Sequence, residues 1–292
     1  MSKQLKKDLS AIPFILPFFI VYVIFVVYPM IQGVWMSLHR WTIVRKVRYI
    51  GLDNYRDMLQ DPYFWAALRN TTYFVVLSTP TIIIAGLLLA LISNQNLRGK
   101  TFFRLSFFMP NILSVAVIST IMVFVFRAYS GLISTLLKDI GIQQEIFWLG
   151  DPDLAWVVIV VATLWWTVGF NMVLFLAALQ DIPAHLYEAA SIDGASSRQM
   201  FWYITLPLLK PIIWVVTMLQ IIASYKVFAQ IWLITRGGPG AATRPIIQYI
   251  YEVGFRQNDL GYAATMSYAL FLILMILTLV QMRVRRWGET EL

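Results

Sequence analysis

Six long apolar stretches are the feature that most constrains what this chain of 292 residues can fold into. A helix needs about 20 mostly apolar residues to cross the hydrocarbon core of a bilayer, which is about 30 Å thick. The stretches do not alternate with a period of two, so they indicate helices rather than the strands of a barrel. We predict an all-α integral membrane protein with six transmembrane helices at Ile12–Leu38, Thr71–Ser93, Leu105–Phe126, Leu154–Gln180, Ile212–Thr235 and Leu260–Met282.

The composition excludes most other classes of protein. Hydrophobic residues make up 59% of the chain and charged residues only 13%. A soluble globule of this length has too small a core to bury so much apolar surface. The sequence contains no cysteine, which excludes a secreted disulfide scaffold. The net charge of +8 comes mostly from residues between the apolar stretches, where basic side chains anchor loops at lipid headgroups.

The distribution of lysine and arginine favours one orientation. With six spans both termini lie on the same side of the membrane. Basic residues are equally numerous on the two sides, but they are denser in the short segments on the side of the termini, which favours cytoplasmic termini. We therefore predict a cytoplasmic N-terminus at 1–11, a transmembrane domain at 12–287 and a C-terminal tail at 288–292.

Three loops carry local signals. Asp61 followed by Pro62 is typical of the N-cap and first position of a helix, here one that enters the second span. The cluster from Gly237 to Gly240 predicts a turn. Segment 181–210 predicts two short helices about Gly194, which tolerates the positive φ of a helix C-terminus. Ser196 and Gln199 form a candidate capping box for the second helix. From periodicity alone this segment is a connector at the membrane surface.

The residues that enzyme chemistry needs do not occur together. His39 and His185 are far apart and have no acidic or histidine partner at metal spacing, so no metal site is predicted. Gly99-Lys100-Thr101 resembles the end of a P-loop, but Asn94 stands where that motif requires glycine. We expect no cofactor in this chain, and if energy is used a partner must supply it. The spans lack a paired carboxylate or a nucleophile–base pair, which favours transport over a membrane-embedded enzyme.

The amino-acid sequence of segment 181–210 resembles a known motif. Glu188-Ala189-Ala190, Gly194, Ile204 and Leu206-Pro207 match every fixed position of the EAA loop, which characterises permease subunits of binding-protein-dependent ABC importers. Other segments are similar to the carbohydrate-type branch of that family, which includes maltose and glycerol-phosphate permeases. These are Gly51-Leu52-Asp53-Asn54-Tyr55, Asn70-Thr71, Gly237-Gly238-Pro239-Gly240 and Gly261-Tyr262-Ala263-Ala264. The resemblance covers roughly residues 13–286.

The resemblance implies a fold, a mechanism and a set of partners. It implies a type I ABC importer permease fold in a bacterial or archaeal cytoplasmic membrane, with the loop on the cytoplasmic side as a coupling helix. The implied docking element for an ATPase subunit is Glu188, Ala189, Ala190, Asp193 and Gly194. The implied partners are a second homologous permease, two ABC ATPases that bind ATP and Mg, and an extracytoplasmic solute-binding protein. A homodimer of this chain is the weaker variant.

Polar residues inside the apolar stretches suggest where a solute passes. Lys226 is the only charged residue in a predicted span, and a charge at mid-helix costs about 2.5–3.5 kcal/mol, so it should face a cavity or a polar partner. Aromatic faces with amide and hydroxyl groups suit sugar rings. The candidate pathway residues are Ser224, Tyr225, Lys226, Asn171, Trp166 and Thr167. Alternatively, the polar residues join helices, or Lys226 pairs with a carboxylate of a partner chain. The lysine also raises the idea of an anionic solute, such as a uronate or a phosphorylated polyol.

The sequence thus predicts one permease subunit of an ATP-driven importer for a carbohydrate or related solute. The main rival is a channel or secondary carrier that works without an ATPase. Such a protein would not need the spacing of the EAA loop and would be expected to show inverted repeats.

Overall fold

The computed structural model describes residues 3–42, 47–95 and 98–289, and these are predominantly helical. The chain forms two compact units, one of residues 1–64 and 249–273 and the other of 65–248 and 274–292. Within the described ranges five helices are long and apolar enough to cross a membrane, and a strongly bent helix pair makes a sixth span if it counts as one. Of the predicted tail at 288–292, residues 290–292 lie outside the described residues.

The first unit begins with a long helix that carries the first predicted span. Its elements are α1 (Lys3–Tyr22), a π-helical turn (Val23–Val27), α2 (Tyr28–Ser37), β1 (His39–Arg40), β2 (Arg48–Tyr49) and α3 (Asp53–Gln60). Proline cannot donate a backbone hydrogen bond, and its ring clashes with the carbonyl four residues earlier. For Pro29 that carbonyl belongs to Phe25, which lies in the wider π turn. The helix therefore continues past the proline to Ser37.

The second unit is built around one central helix. Its elements are α4 (Pro62–Asn94), α5 (Lys100–Ile112), α6 (Val115–Val125), α7 (Leu132–Asp139), α8 (Pro152–Gln180), α9 (Ala184–Ile192), α10 (Ser197–Met200), a π turn (Phe201–Thr205), α11 (Leu206–Tyr225) and α12 (Ala229–Ile234). The chain continues with α13 (Ile246–Tyr251), a π turn (Glu252–Arg256) and α14 (Leu260–Glu289). Helix α8 packs against α5, α6, α11 and α12. It contributes Ile159, Met172 and Phe175, all fully buried, to two hydrophobic clusters of this unit.

Asp61 begins α4 as predicted and holds together part of the first unit. Its Oδ1 accepts the Tyr63 amide at 2.8 Å. Its Oδ2 accepts the hydroxyls of Tyr249 at 2.6 Å and Tyr262 at 2.8 Å. Burial raises the pKa of this carboxyl, but these bonds and one from the Phe64 amide outweigh burial and hold the pKa below its ordinary value. An ionised N-cap results, which the positive end of a helix favours.

The third predicted span, Leu105–Phe126, is not one helix. Helices α5 and α6 meet at 101°. Pro110 stands near the end of α5, and Ser114 is the N-cap of α6, with its Oγ accepting the Val117 amide at 3.4 Å. A hydropathy window averages over such breaks because the residues on both sides are apolar. The correction matters because the break exposes backbone groups that another residue must satisfy.

The prediction of the fifth span at Ile212–Thr235 is wrong at both ends. Helices α10 and α11 and the π turn between them form one apolar helix from Ser197 to Tyr225. The helix ends at Lys226, whose backbone amide donates to the carbonyls of Ala223 at 3.1 Å and Ile222 at 3.3 Å. The prediction that Lys226 lies at mid-helix is therefore wrong. Its positive charge lies at the C-terminus of α11, the helix end that favours cations.

Gly169 allows α8 to approach α5 closely. A Cβ at this position would lie 2.1 Å from the carbonyl oxygen of Phe107, which no backbone can accommodate without moving. Small residues at such contacts are typical of helix pairs in membranes.

Replacing Gly169 by valine is expected to destabilise the protein by about 1–3 kcal/mol or more, because the new side chain would force the two backbones apart. Thermal unfolding of the purified protein in detergent measures this effect. Val173→Leu is the matched control, since Val173 lies on the same helix and is 41% exposed. Equal melting temperatures for the Gly169 variant and the wild type would contradict the close approach.

Candidate functional site

Helix α9 carries most of the predicted docking element and contains no buried residue. None of the residues from Ala184 to Ile192 is buried, and the side chain of Ile192 is 86% exposed. Glu188 and Ala189 are exposed, and Ala190 is partly buried. A helix of this kind gains little stability from packing within its own chain. Its surface is available to another protein.

The turn that follows α9 has the predicted geometry. Asp193 is the C-cap of α9, and Gly194 adopts a φ of +76° with no atom near the position of a Cβ. Ser196 and Gln199 form the capping box of α10, in which the Ser196 amide donates to Gln199 Oε1 at 2.8 Å and the Gln199 amide donates to Ser196 Oγ at 3.4 Å. The turn at Gly194 and the capping box therefore both have the local form that the sequence predicts.

A cavity of about 260 Å³ lies within the second unit where two helical segments break. One break is between α5 and α6, and the other is between α11 and α12. Backbone that leaves the helical pattern inside an apolar stretch is tolerated only where protein or a water-filled cavity satisfies it. Such interrupted helices mark solute sites in many transporters.

Four of the six candidate pathway residues line this cavity, namely Trp166, Thr167, Ser224 and Lys226. Lys226 is exposed, and among the described residues that line the cavity it carries the one charge. Trp166 satisfies a backbone carbonyl at the break between α5 and α6, because its indole N–H donates to the Leu113 carbonyl at 3.2 Å. The aromatic ring is thereby fixed in the wall of the cavity.

The other two candidates do not line the cavity. Tyr225 is buried, and its hydroxyl lies 3.2 Å from Thr72 Oγ1. Asn171 is buried and donates from Nδ2 to the Thr167 carbonyl at 3.0 Å. Both residues support the wall: Tyr225 joins α11 to α4, and Asn171 bonds within its own helix, α8. Their direct contact with a solute stays a prediction.

The cavity also contains amide side chains that were not among the candidate pathway residues. Gln220 donates from Nε2 to Ser224 Oγ at 3.1 Å, which orients that hydroxyl. Gln230 is buried, and its Oε1 accepts from Thr163 Oγ1 at 3.2 Å. The signal for both was present in the sequence, since a glutamine within an apolar stretch needs a polar partner. The partner of Gln220 lies one turn later on α11, whereas the partner of Gln230 lies on α8 and is not specified by the sequence.

The segments Asn70-Thr71 and Gly237–Gly240 lie together in the second unit. Asn70 Nδ2 donates to the carbonyls of Ala241 at 3.1 Å and Arg244 at 3.2 Å. Thr71 Oγ1 accepts the Ile246 amide at 2.8 Å. The loop that the glycines begin is therefore anchored to the start of the second predicted span.

Interrupted apolar helices with a cavity at their breaks are features of solute-transport proteins of the membrane. The family of binding-protein-dependent transport system inner membrane components matches residues 82–289. The chain belongs to this family.

Curated relatives match nearly the whole chain. The probable ABC transporter permease protein YurN of Bacillus subtilis is 33% identical over 276 residues, which cover 93% of this chain and 94% of the relative. The lactose transport system permease protein LacF of Rhizobium radiobacter is 35% identical over 279 residues, covering 94% and 93%.

A solved structure has the same fold. A chain of a bacterial ABC transporter that imports the acidic polysaccharide alginate superposes with a TM-score of 0.86 at 26% identity, covering 97% of each chain. The same kind of transporter has been solved with an alginate pentasaccharide-bound periplasmic protein, and its matching chain gives a TM-score of 0.85 at 26% identity, covering 96% of this chain and 94% of that chain. The predicted type I importer permease fold is confirmed.

Proposed function

We propose that this permease subunit works in an ATP-driven importer of a carbohydrate or related solute, and that α9 is its docking element for an ABC ATPase. The observation that carries the proposal is an exposed helix with the EAA spacing, followed by Gly194 in the left-handed conformation. Ala189 and Ala190 permit close approach of a partner, and Glu188 offers a charged hydrogen bond. Asp193 and Gly194 define the turn that presents the helix.

The proposed assembly contains this chain, a second homologous permease, two ATPases and an extracytoplasmic solute-binding protein. The ATPases bind ATP and Mg, and this chain needs no cofactor of its own. Closure of the ATPases on ATP moves the docked helices, and the spans change between two states with opposite access. We place the chain in the cytoplasmic membrane of a bacterium or archaeon, with both termini and α9 in the cytoplasm.

The first test of this proposal is the identity of the companions. Mild solubilisation of the tagged chain from its host, followed by mass spectrometry, is expected to recover a second permease, a P-loop ATPase and a binding protein. Screening that binding protein against sugars then names the solute. Recovery of the chain alone, with uptake that persists after ATP depletion, would instead support a channel or secondary carrier.

Ala189→Trp is expected to lower the amount of ATPase that co-purifies at least tenfold, because a bulky side chain prevents close approach at the docking surface. Ala189→Ser is the matched control and should co-purify as the wild type does. ATPase recovery is measured by quantitative mass spectrometry relative to the second permease. An Ala189→Trp complex that retains its full ATPase content would contradict docking through α9.

The cavity is the proposed solute site. Trp166 supplies an aromatic face, and Thr167, Ser224 and Lys226 supply hydrogen-bonding groups, which suits a hydroxylated ring. Tyr225 and Asn171 belong to this proposal as residues that hold the wall of the cavity or contact the solute. The lactose permease among the relatives supports the carbohydrate class.

Lys226→Met is expected to lower uptake at least tenfold at limiting solute, because the ammonium group loses its contact with the solute. Lys226→Arg keeps the charge and should retain part of the uptake. Reconstituted vesicles that receive the binding protein at limiting solute provide the measurement. Normal uptake by the methionine variant at normal expression would exclude Lys226 from the solute site.

A further inference from the structure

Helix α9 is only loosely packed against the other helices of the second unit. It packs extensively against no other helix of the described chain. After α9 the chain passes through Asp193 and Gly194, which are exposed, and nothing lies near the Cβ position of Gly194. A turn of this kind can absorb a displacement of α9 by changing its own backbone angles. Efficient transmission to the spans therefore needs a second connection.

The side chain of Tyr187 provides such a connection. Its hydroxyl lies 2.9 Å from Oγ1 of Thr205. Over the described ranges, this is the one hydrogen bond that joins α9 to the helix of the fifth span. Tyr187 stands directly before Glu188, the first residue of the proposed docking element, so the bond starts where a partner would bind.

Thr205 lies directly before α11, the longest helix of the fifth span. It is the last residue of the π turn Phe201–Thr205 and is only 6% exposed. Its Oγ1 also lies 3.4 Å from the Met200 carbonyl oxygen, to which it can donate, and either hydroxyl can be the donor in the bond between the two side chains. The Met200 amide in turn donates to the Ser196 carbonyl at 2.9 Å. The hydrogen bonds therefore connect α9, through Thr205, to both ends of the π turn that joins α10 to α11.

We propose that Tyr187 is a positioning residue whose hydrogen bond to Thr205 transmits the movement of α9 to the fifth span. The inference rests on the proposed docking of α9 on an ATPase. Without the bond, part of each displacement is absorbed at Gly194, and ATP is hydrolysed without a matching change of access. With the bond, the docking helix and the start of α11 move together.

The test compares uptake per ATP hydrolysed in vesicles that contain the complete complex and receive the solute-loaded binding protein. Tyr187→Phe keeps the ring and removes the hydroxyl, and it should lower this ratio about threefold or more, as expected for one hydrogen bond. Thr205→Val should give a similar loss, whereas Thr205→Ser keeps the hydroxyl and should retain the ratio. Tyr203→Phe is the matched control, because Tyr203 is 79% exposed in the same π turn.

The ratio of uptake to ATP hydrolysis distinguishes a loss of transmission from a loss of folding or of ATPase docking. A purely structural role of Tyr187 would reduce the amount of complex, measured by ATPase co-purification, but would leave uptake per ATP unchanged. The double variant of Tyr187→Phe and Thr205→Val should lose no more than either single variant, because both remove the same bond. An unchanged ratio for Tyr187→Phe, or losses that multiply in the double variant, would overturn the inference. Full ATPase recovery with Ala189→Trp would overturn the proposed docking instead.

Discussion

Backbone hydrogen bonding in an apolar environment is the constraint on which the rest of this structure depends. A span that leaves the helical pattern exposes carbonyl and amide groups that lipid cannot satisfy. Both interruptions in the second unit occur where side chains or a cavity replace the lost partners. At the first, Ser114 caps α6 and the indole of Trp166 bonds to the Leu113 carbonyl. The cavity lies at these breaks because they are places where polar groups can remain accessible inside an apolar protein.

The sequence was sufficient for the features that depend on near neighbours. The N-cap at Asp61, the capping box of Ser196 and Gln199, and the turn at Gly194 each depend on residues within a few positions, and each has the predicted form. The count of apolar stretches also agrees with the membrane fold, because hydrophobic length is a local property.

The errors arose where distant residues decide the outcome. The fifth span begins at Ser197 because a polar first turn can continue into an apolar helix, while hydropathy favoured the most apolar window. The position of Lys226 changed with it, from mid-helix to a helix end. The partners of Trp166 and Thr163, 53 and 67 residues away in the sequence, had no periodicity that could indicate them. The bond between Tyr187 and Thr205 was equally invisible, although both residues lie in the segment that carried the strongest signal.

The π turn at Phe201–Thr205 has a consequence for how the cytoplasmic loop is aimed. A π turn accommodates one residue more than an α-helical turn, and one residue corresponds to about 100° of rotation about a helix axis. The extra residue therefore determines the direction around the axis of α11 in which α10, the turn at Gly194 and α9 extend. Deleting a single residue from this turn would allow a regular helix, but it would rotate the loop to another side of the span. The length of this turn thus determines the orientation of the loop, and we expect an insertion or deletion here to disrupt the protein more than a substitution at an exposed position of the turn.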